Sequence, residues 1–202
     1  MLEHPHIFMQ LMLSRISVRD FSIKEVPDKV IENILKTAIS SPSRANKQPW
    51  SFVIVKSKGL KKKIRIAAET EEKKFYSQRA TDEWLDDLNK FETSWEKPFL
   101  EEAPALIIIF RQFYDNSGSK KRKNYYVNES VGIAFGFLIT AIQNAGLVCL
   151  THTPNPMGFL EKILKRPKNE KAYLLIPIGF PAKDAQSPVL DKKPYSESVK
   201  VL

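Results

Sequence analysis

The sequence predicts a single α+β domain in which helices cover a central sheet, and three stretches carry that prediction. Val30, Ile31, Ile34, Leu35, Ala38 and Ile39 recur with a period of about 3.6 residues and form one helix face. Residues 105–110 are an uninterrupted apolar run rich in Ile, the pattern of a strand covered on both sides. Residues 127–144 are apolar nearly all round, so that helix belongs in the core or at a subunit interface.

Taken in order, Val26-Pro27-Asp28 opens the first of these helices, and the Ser41-Pro42 turn ends it because the residue before proline avoids the helical region. Residues 51–55 read as a strand and 58–68 as a helix with a basic outer face. Residues 69–90 are further helical stretches, acidic and aromatic, that include Phe75, Tyr76, Trp84 and Leu85. In the helix at 127–144, Gly132, Ala134, Gly136 and Ala141 allow another element to come close. Residues 147–150 and 173–178 supply the remaining strands. From Ala182 onward a polar tail with two prolines needs a surface to lie against.

A chain of 202 residues, 43% hydrophobic, buries a proper core as one domain over 1–202. Its 7 glycines are scattered, and neither a flexible linker nor a repeat is present. Cys149 is the sole cysteine, which excludes an internal disulfide, and with three histidines it never takes the spacing of a zinc site. Placed between Val148 and Leu150, Cys149 reads as a small buried apolar residue, while His4 and His6 read as surface groups at a frayed terminus. This inventory suits a reducing cytoplasm.

His4 and Pro5 stand where a signal peptide needs a basic start and an apolar run, so secretion is not supported. Residues 130–150 carry no charge, but Gln143-Asn144-Ala145-Gly146 breaks them into a buried helix and a strand rather than a membrane span. The net charge of +9 is concentrated in residues 56–65, 120–123 and 165–171. No helix-turn-helix, zinc finger or aromatic RNA-binding signature accompanies it, so these runs read as solvated faces rather than a nucleic-acid site.

Two short segments carry chemistry. In Arg15-Ile16-Ser17-Val18-Arg19, the residues Arg15, Ser17 and Arg19 alternate, so an extended backbone turns two guanidinium groups and a hydroxyl to one side, a shape suited to gripping a phosphate. Ser41-Pro42-Ser43-Arg44-Ala45-Asn46 lies between a helix and a strand, placing hydroxyls, amides and free backbone N–H groups at a sheet edge. Glu72 and Tyr76, one helical turn apart, share a face that Lys97 can approach from the next segment. Read alone, these features also fit a basic surface patch, a helix cap and a surface ion pair.

With these motifs, the chain resembles the nitroreductase superfamily of FMN enzymes from Arg15 to Lys192-Lys193-Pro194, and within it the iodotyrosine deiodinase family. The resemblance implies a mixed, mostly antiparallel sheet flanked by helices. It further implies a homodimer with FMN at the interface and a C-terminal tail swapped onto the partner. Arg15, Ile16, Ser17 and Arg19 would cradle the cofactor together with Pro42, Ser43, Arg44 and Asn46, with Thr151, His152 and Thr153, and with Lys192 where an arginine is usual. Thr153 would hydrogen-bond flavin N5. Glu72 would hold the substrate ammonium, Tyr76 and Lys97 its carboxylate, and the Ala45 N–H the phenolate.

The implied activity is reductive dehalogenation of halotyrosines, with electrons from NAD(P)H or a small redox protein. Ile16 replaces a common arginine, Arg44 takes a place that is often small, and His152 separates two threonines where a run of three is usual. The alternatives are a general NAD(P)H-dependent nitroreductase or quinone reductase, and a non-enzymatic protein that binds nucleic acid or an anion.

Overall fold

The computed structural model describes residues 3–91, 93–115, 121–188 and 190–202. Lys120, in the second basic run, lies outside the described residues. The helices are α1 (Glu3–Leu13), α2 (Asp28–Ile39), α3 (Lys58–Lys74), α4 (Asp82–Asn89), α5 (Phe99–Glu102), α6 (Val127–Asn144), α7 (Gly158–Ile163) and α8 (Tyr195–Ser198). The strands are β1 (Trp50–Val55), β2 (Ala105–Gln112), β3 (Tyr114–Asp115), β4 (Arg122–Lys123), β5 (Val148–Cys149) and β6 (Glu170–Gly179).

β1, β2, β6 and β5 form one sheet in that order, antiparallel throughout, and β3 pairs with β4 in a short ribbon. The expected mixed character survives as a single parallel bridge between Ser17 and Cys149, which lays the arginine segment beside β5. Only Ser17 pairs there: the Arg15 N–H still donates to the Met12 carbonyl at 3.2 Å in the turn that ends α1.

Period-two alternation along β2 builds the core in two layers. Ala105, Ile107 and Ile109 face Ile31, Ile34 and Ala38 of α2 and Val131, Ala134 and Leu138 of α6. Leu106, Ile108 and Phe110 face Ile64 and Ala68 of α3, Phe99 and Leu100 of α5, and Leu160 of α7. A strand covered on both faces is apolar at every position, which is why residues 105–110 show no polar interruption.

Other elements differ from the sequence reading for local reasons. α3 runs to Lys74 rather than 68, because Arg65 pairs with Glu69 at 2.8 Å and Ser57 caps its start by accepting from the Leu60 N–H. The terminus expected to fray is helical over Glu3–Leu13, with no buried residue, and it rests on α6, where Gln143 Nε2 donates to Ser14 Oγ at 3.1 Å. α6 buries only one face. Ile133 and Phe137 are exposed on the other.

Candidate functional site

Between the end of α3, α4, α5 and the segment after β5 lies a cavity of about 610 Å³, lined by Arg19, Glu72, Tyr76, Lys97, Thr151, His152 and Thr153, among others. Three chain segments predicted to act together thus meet in one place.

Glu72 sits in the last turn of α3, and Tyr76 in the π-helical turn Phe75–Arg79 that follows. Thr81 then starts α4 by accepting from the Trp84 N–H at 3.3 Å, so the chain folds back over the opening. Lys97 Nζ lies 3.3 Å from Glu72 Oε2, with the two side chains 4% and 13% exposed. Lys97 also donates to Thr93 Oγ1 at 3.4 Å and to the Ser94 carbonyl, and its ammonium stands 5.5 Å from the centre of the Tyr76 ring. The Tyr76 hydroxyl donates to the Thr93 carbonyl at 3.3 Å. Burial pulls the Lys97 pKa below its ordinary value, with Glu72 opposing, and burial raises that of Tyr76.

The cavity floor comes from the strand-like run after β5. His152 exchanges backbone hydrogen bonds with Leu175, its N–H donating at 2.9 Å and its carbonyl accepting at 3.0 Å. Alternation then turns Thr151 and Thr153 outward and His152 inward, edge-on to Phe99 with ring centres 5.5 Å apart. The two threonine hydroxyls make no hydrogen bond among the described residues, so their donors are free for a ligand. Burial, with Lys97 and Arg19 nearby, lowers the His152 pKa to about 3, and its Nε2 is enclosed with no hydrogen-bond partner among the described residues. The imidazole that replaces the expected middle threonine is therefore neutral.

Arg19 is half-buried and has no carboxylate within ion-pair distance among the described residues. Burial lowers its pKa. An unpaired cation in a concave site, flanked by free hydroxyls, has the donor chemistry that an anionic, hydrogen-bonding cofactor requires. Arg15, Ile16 and Ser17 do not line this cavity. Arg15 is partly buried and its charge is felt at Cys149, Ile16 is exposed, and the Ser17 carbonyl accepts from Ser187 Oγ at 2.7 Å.

Pro42, Ser43, Arg44, Ala45 and Asn46 do not line the cavity either. Their loop packs on the start of α6, where the Arg44 N–H donates to Ser130 Oγ at 3.4 Å and the Arg44 guanidinium stacks 5.4 Å from the Tyr126 ring centre. Ala45, Asn46 and Gln48 all take left-handed backbone (φ 50°, 52° and 46°), a strain that non-glycine residues bear where a loop is shaped for a purpose. The Gln48 N–H donating to Ser43 Oγ at 2.9 Å holds the turn, and the Ala45 N–H has no acceptor among the described residues. Lys192 lies exposed in the tail, away from the cavity.

Sequence reasoning noted Phe75 and Trp84 only as helix aromatics and did not name Arg79, Leu88 or Met157, and all five also line the cavity. A signal was available: Trp84 and Leu88 are four residues apart and share one apolar face of a short helix, none of whose residues is buried. Among the described residues there is no cluster that would hold a metal ion, and no helix long and apolar enough to cross a membrane.

The chain is similar to known proteins over most of its length. The chain is 56% identical over 187 residues to an iodotyrosine deiodinase of Haliscomenobacter hydrossis, covering 92% of this chain and 84% of that protein. It is 46% identical over 199 residues to the iodotyrosine deiodinase of Hydra vulgaris, covering 98% and 73%. Its fold matches the crystal structure of an oxidized iodotyrosine deiodinase bound to FMN and 3-iodo-L-tyrosine with a TM-score of 0.80, at 32% identity and over 93% of this chain and 96% of that one. The model of the nitroreductase family matches residues 12–180, and on this evidence the chain belongs to the nitroreductase family.

Proposed function

We propose that the protein is an FMN-dependent oxidoreductase that removes halogen reductively from halotyrosines. The observation that carries this reading is the meeting of Glu72, Tyr76 and Lys97 in one enclosed cavity with Arg19 and the free hydroxyls of Thr151 and Thr153. The relative of the same fold that holds FMN and 3-iodo-L-tyrosine supports it.

In this reading Arg15, Ser17, Arg19 and Lys192 would hold the cofactor phosphate, and the floor of Thr151, His152 and Thr153 would lie along the flavin, with the Thr153 hydroxyl as the donor to N5. Bound in its reduced form, FMN would supply the two electrons that, with one proton, reductive loss of the ring halogen as halide requires. Glu72 takes the amino-acid ammonium, and Tyr76 and Lys97 its carboxylate. The Ala45 N–H, unpartnered and fixed by its strained turn, donates to the phenolate oxygen. The Phe75 and Trp84 rings, edge-on with centres 4.9 Å apart, keep water from the phenol.

The loop of Pro42, Ser43, Arg44, Ala45 and Asn46 lies apart from the cavity of its own chain, so it serves the site across a homodimer. Two features support that assembly. Ile7, Phe8 and Leu13 of α1 and Ile133 and Phe137 of α6 leave an apolar face exposed. The tail, with Tyr195, Val201 and Leu202 exposed, is free to cross to the partner, where the outer edge of β1 is open to a further strand. Electrons come from NAD(P)H or a small redox protein, and a single buried thiol suits a reducing compartment such as the cytoplasm.

Exchange of Glu72 for Gln tests the substrate half. The Glu72→Gln protein, loaded with FMN, is expected to bind 3-iodotyrosine about 100-fold more weakly, as the loss of a buried charge partner costs about 3 kcal/mol, while nitroaromatic reduction changes little. Equal loss of both activities, or of neither, favours a general nitroreductase or quinone reductase.

A further inference from the structure

We propose that this cavity captures a zwitterion by exchanging an ion pair of its own, and that it therefore accepts an uncharged ortho-halophenol in preference to a halophenol bearing only one of the two amino-acid charges. The inference rests on the substrate reading above and concerns how the same site ranks its ligands.

The groups assigned to the amino acid are already engaged with one another. Lys97 and Glu72 are paired at 3.3 Å and almost fully enclosed. Lys97 has two further oxygen acceptors, Thr93 Oγ1 and the Ser94 carbonyl, and the Tyr76 hydroxyl is taken by the Thr93 carbonyl. The Lys97 backbone N–H is held by Glu69 Oε1 at 2.8 Å, so the residue is anchored on both sides of its Cα. A ligand does not find a waiting cation and a waiting anion. It finds a closed pair.

A zwitterion can enter that pair without changing the net charge of the enclosed space. Its ammonium goes to Glu72 and its carboxylate to Lys97, so one contact becomes two and every charge keeps an opposite neighbour. A lone ammonium instead places a second cation beside Lys97 with Glu72 to share, since Glu69, whose charge also reaches Lys97, is already paired with Arg65 at 2.8 Å. A lone carboxylate places a second anion beside Glu72 with only Lys97 to share. Enclosed charge without a full counter-charge is more costly than a neutral group in the same place. The other cations of the cavity do not relieve the carboxylate: Arg79 is occupied by the Glu71 carbonyl at 2.6 Å and carboxylate at 3.5 Å, and Arg19 belongs to the cofactor in this reading. An uncharged side chain leaves the Glu72–Lys97 pair intact, and the phenol still reaches its own contacts.

The test is a set of dissociation constants measured on the FMN-loaded wild-type protein by flavin fluorescence titration. The ligands are 3-iodotyrosine, 3-iodotyramine, 3-(3-iodo-4-hydroxyphenyl)propionate and 2-iodo-4-methylphenol, which share the iodophenol and differ in charge. The uncharged phenol is expected to bind more tightly than both singly charged ligands, by about tenfold or more, with 3-iodotyrosine tightest of all. Either singly charged ligand binding as tightly as the uncharged phenol overturns the inference while leaving the substrate reading in place. If 3-iodotyrosine binds no better than the uncharged phenol, the substrate reading itself fails and takes the inference with it. In the Glu72→Gln protein Lys97 loses its internal partner, so the propionate should overtake the uncharged phenol. An unchanged order there also contradicts the exchange.

Discussion

Lys97 Nζ and Glu72 Oε2 lie 3.3 Å apart although one belongs to the turn before α5 and the other to the end of α3. The pair ties the covering segment to the body of the fold. Removing one partner strands the other charge, so Lys97→Met is expected to lower stability by about 3 kcal/mol, and Lys97→Met combined with Glu72→Leu by less. Urea unfolding of the two variants measures the difference. A double variant less stable than the single one would contradict a desolvated pair.

His152 should make the protein acid-sensitive. Its pKa is near 3 in the fold against an ordinary 6.5, so the unfolded chain takes up a proton that the folded chain refuses. The stability this gives is complete above the ordinary value and is lost as pH falls toward about 3, at about 1.4 kcal/mol per pH unit. Relative to His152→Thr, the wild type is expected to lose about 2–3 kcal/mol of stability between pH about 6 and pH about 4. A gap between the two that does not vary with pH would show that the imidazole is not held neutral.

Cys149 is 3% exposed and burial raises its pKa to about 11. The thiolate is the reactive form, so iodoacetamide at mildly alkaline pH should leave the native protein unlabelled and label it fully in denaturant. Native labelling at the rate of a free thiol would refute that burial.

Gly179 ends β6 where an added Cβ would lie 2.6 Å and 2.8 Å from the Pro104 ring and 3.2 Å from Phe21. A proline ring cannot swing aside, so Gly179→Ala is expected to destabilise by about 1–3 kcal/mol. Gly136, with nothing within 4 Å, provides the control. Thermal unfolding of Gly179→Ala and Gly136→Ala should separate them, and equal melting temperatures would contradict the close approach.

The parts of the fold that were legible are those whose residues answer to one environment. α2 carried its helical period, α6 was read from a long stretch apolar nearly all round, and residues 105–110 were read as doubly covered because both faces meet apolar helices. α1 was not legible, since Pro5 and two histidines mask a helix that needs α6 beneath it. The π-helical turn was equally hidden. Glu72 and Tyr76 read as one helical face, yet the pair straddles the junction where α3 ends.

For the site, local spacing gave the alternation of Arg15, Ser17 and Arg19, but only the tertiary fold sends Arg19 into the cavity and leaves Arg15 beside Cys149. Arg44, which breaks the family pattern, is explained by Tyr126: a left-handed residue at the start of α6 presents its ring to the guanidinium. His152 could be read as a departure from sequence, whereas its neutrality depends on Phe99, Lys97 and Arg19 gathering around it.

The central claim is tested most directly by a single anaerobic turnover, in which FMN-loaded protein is chemically reduced and mixed with 3-iodotyrosine in the absence of any other donor. The account predicts that tyrosine and iodide appear in equal amounts as the yellow of the oxidised flavin returns. Recovery of 3-iodotyrosine unchanged, from protein that under the same conditions reduces a nitroaromatic, would contradict it.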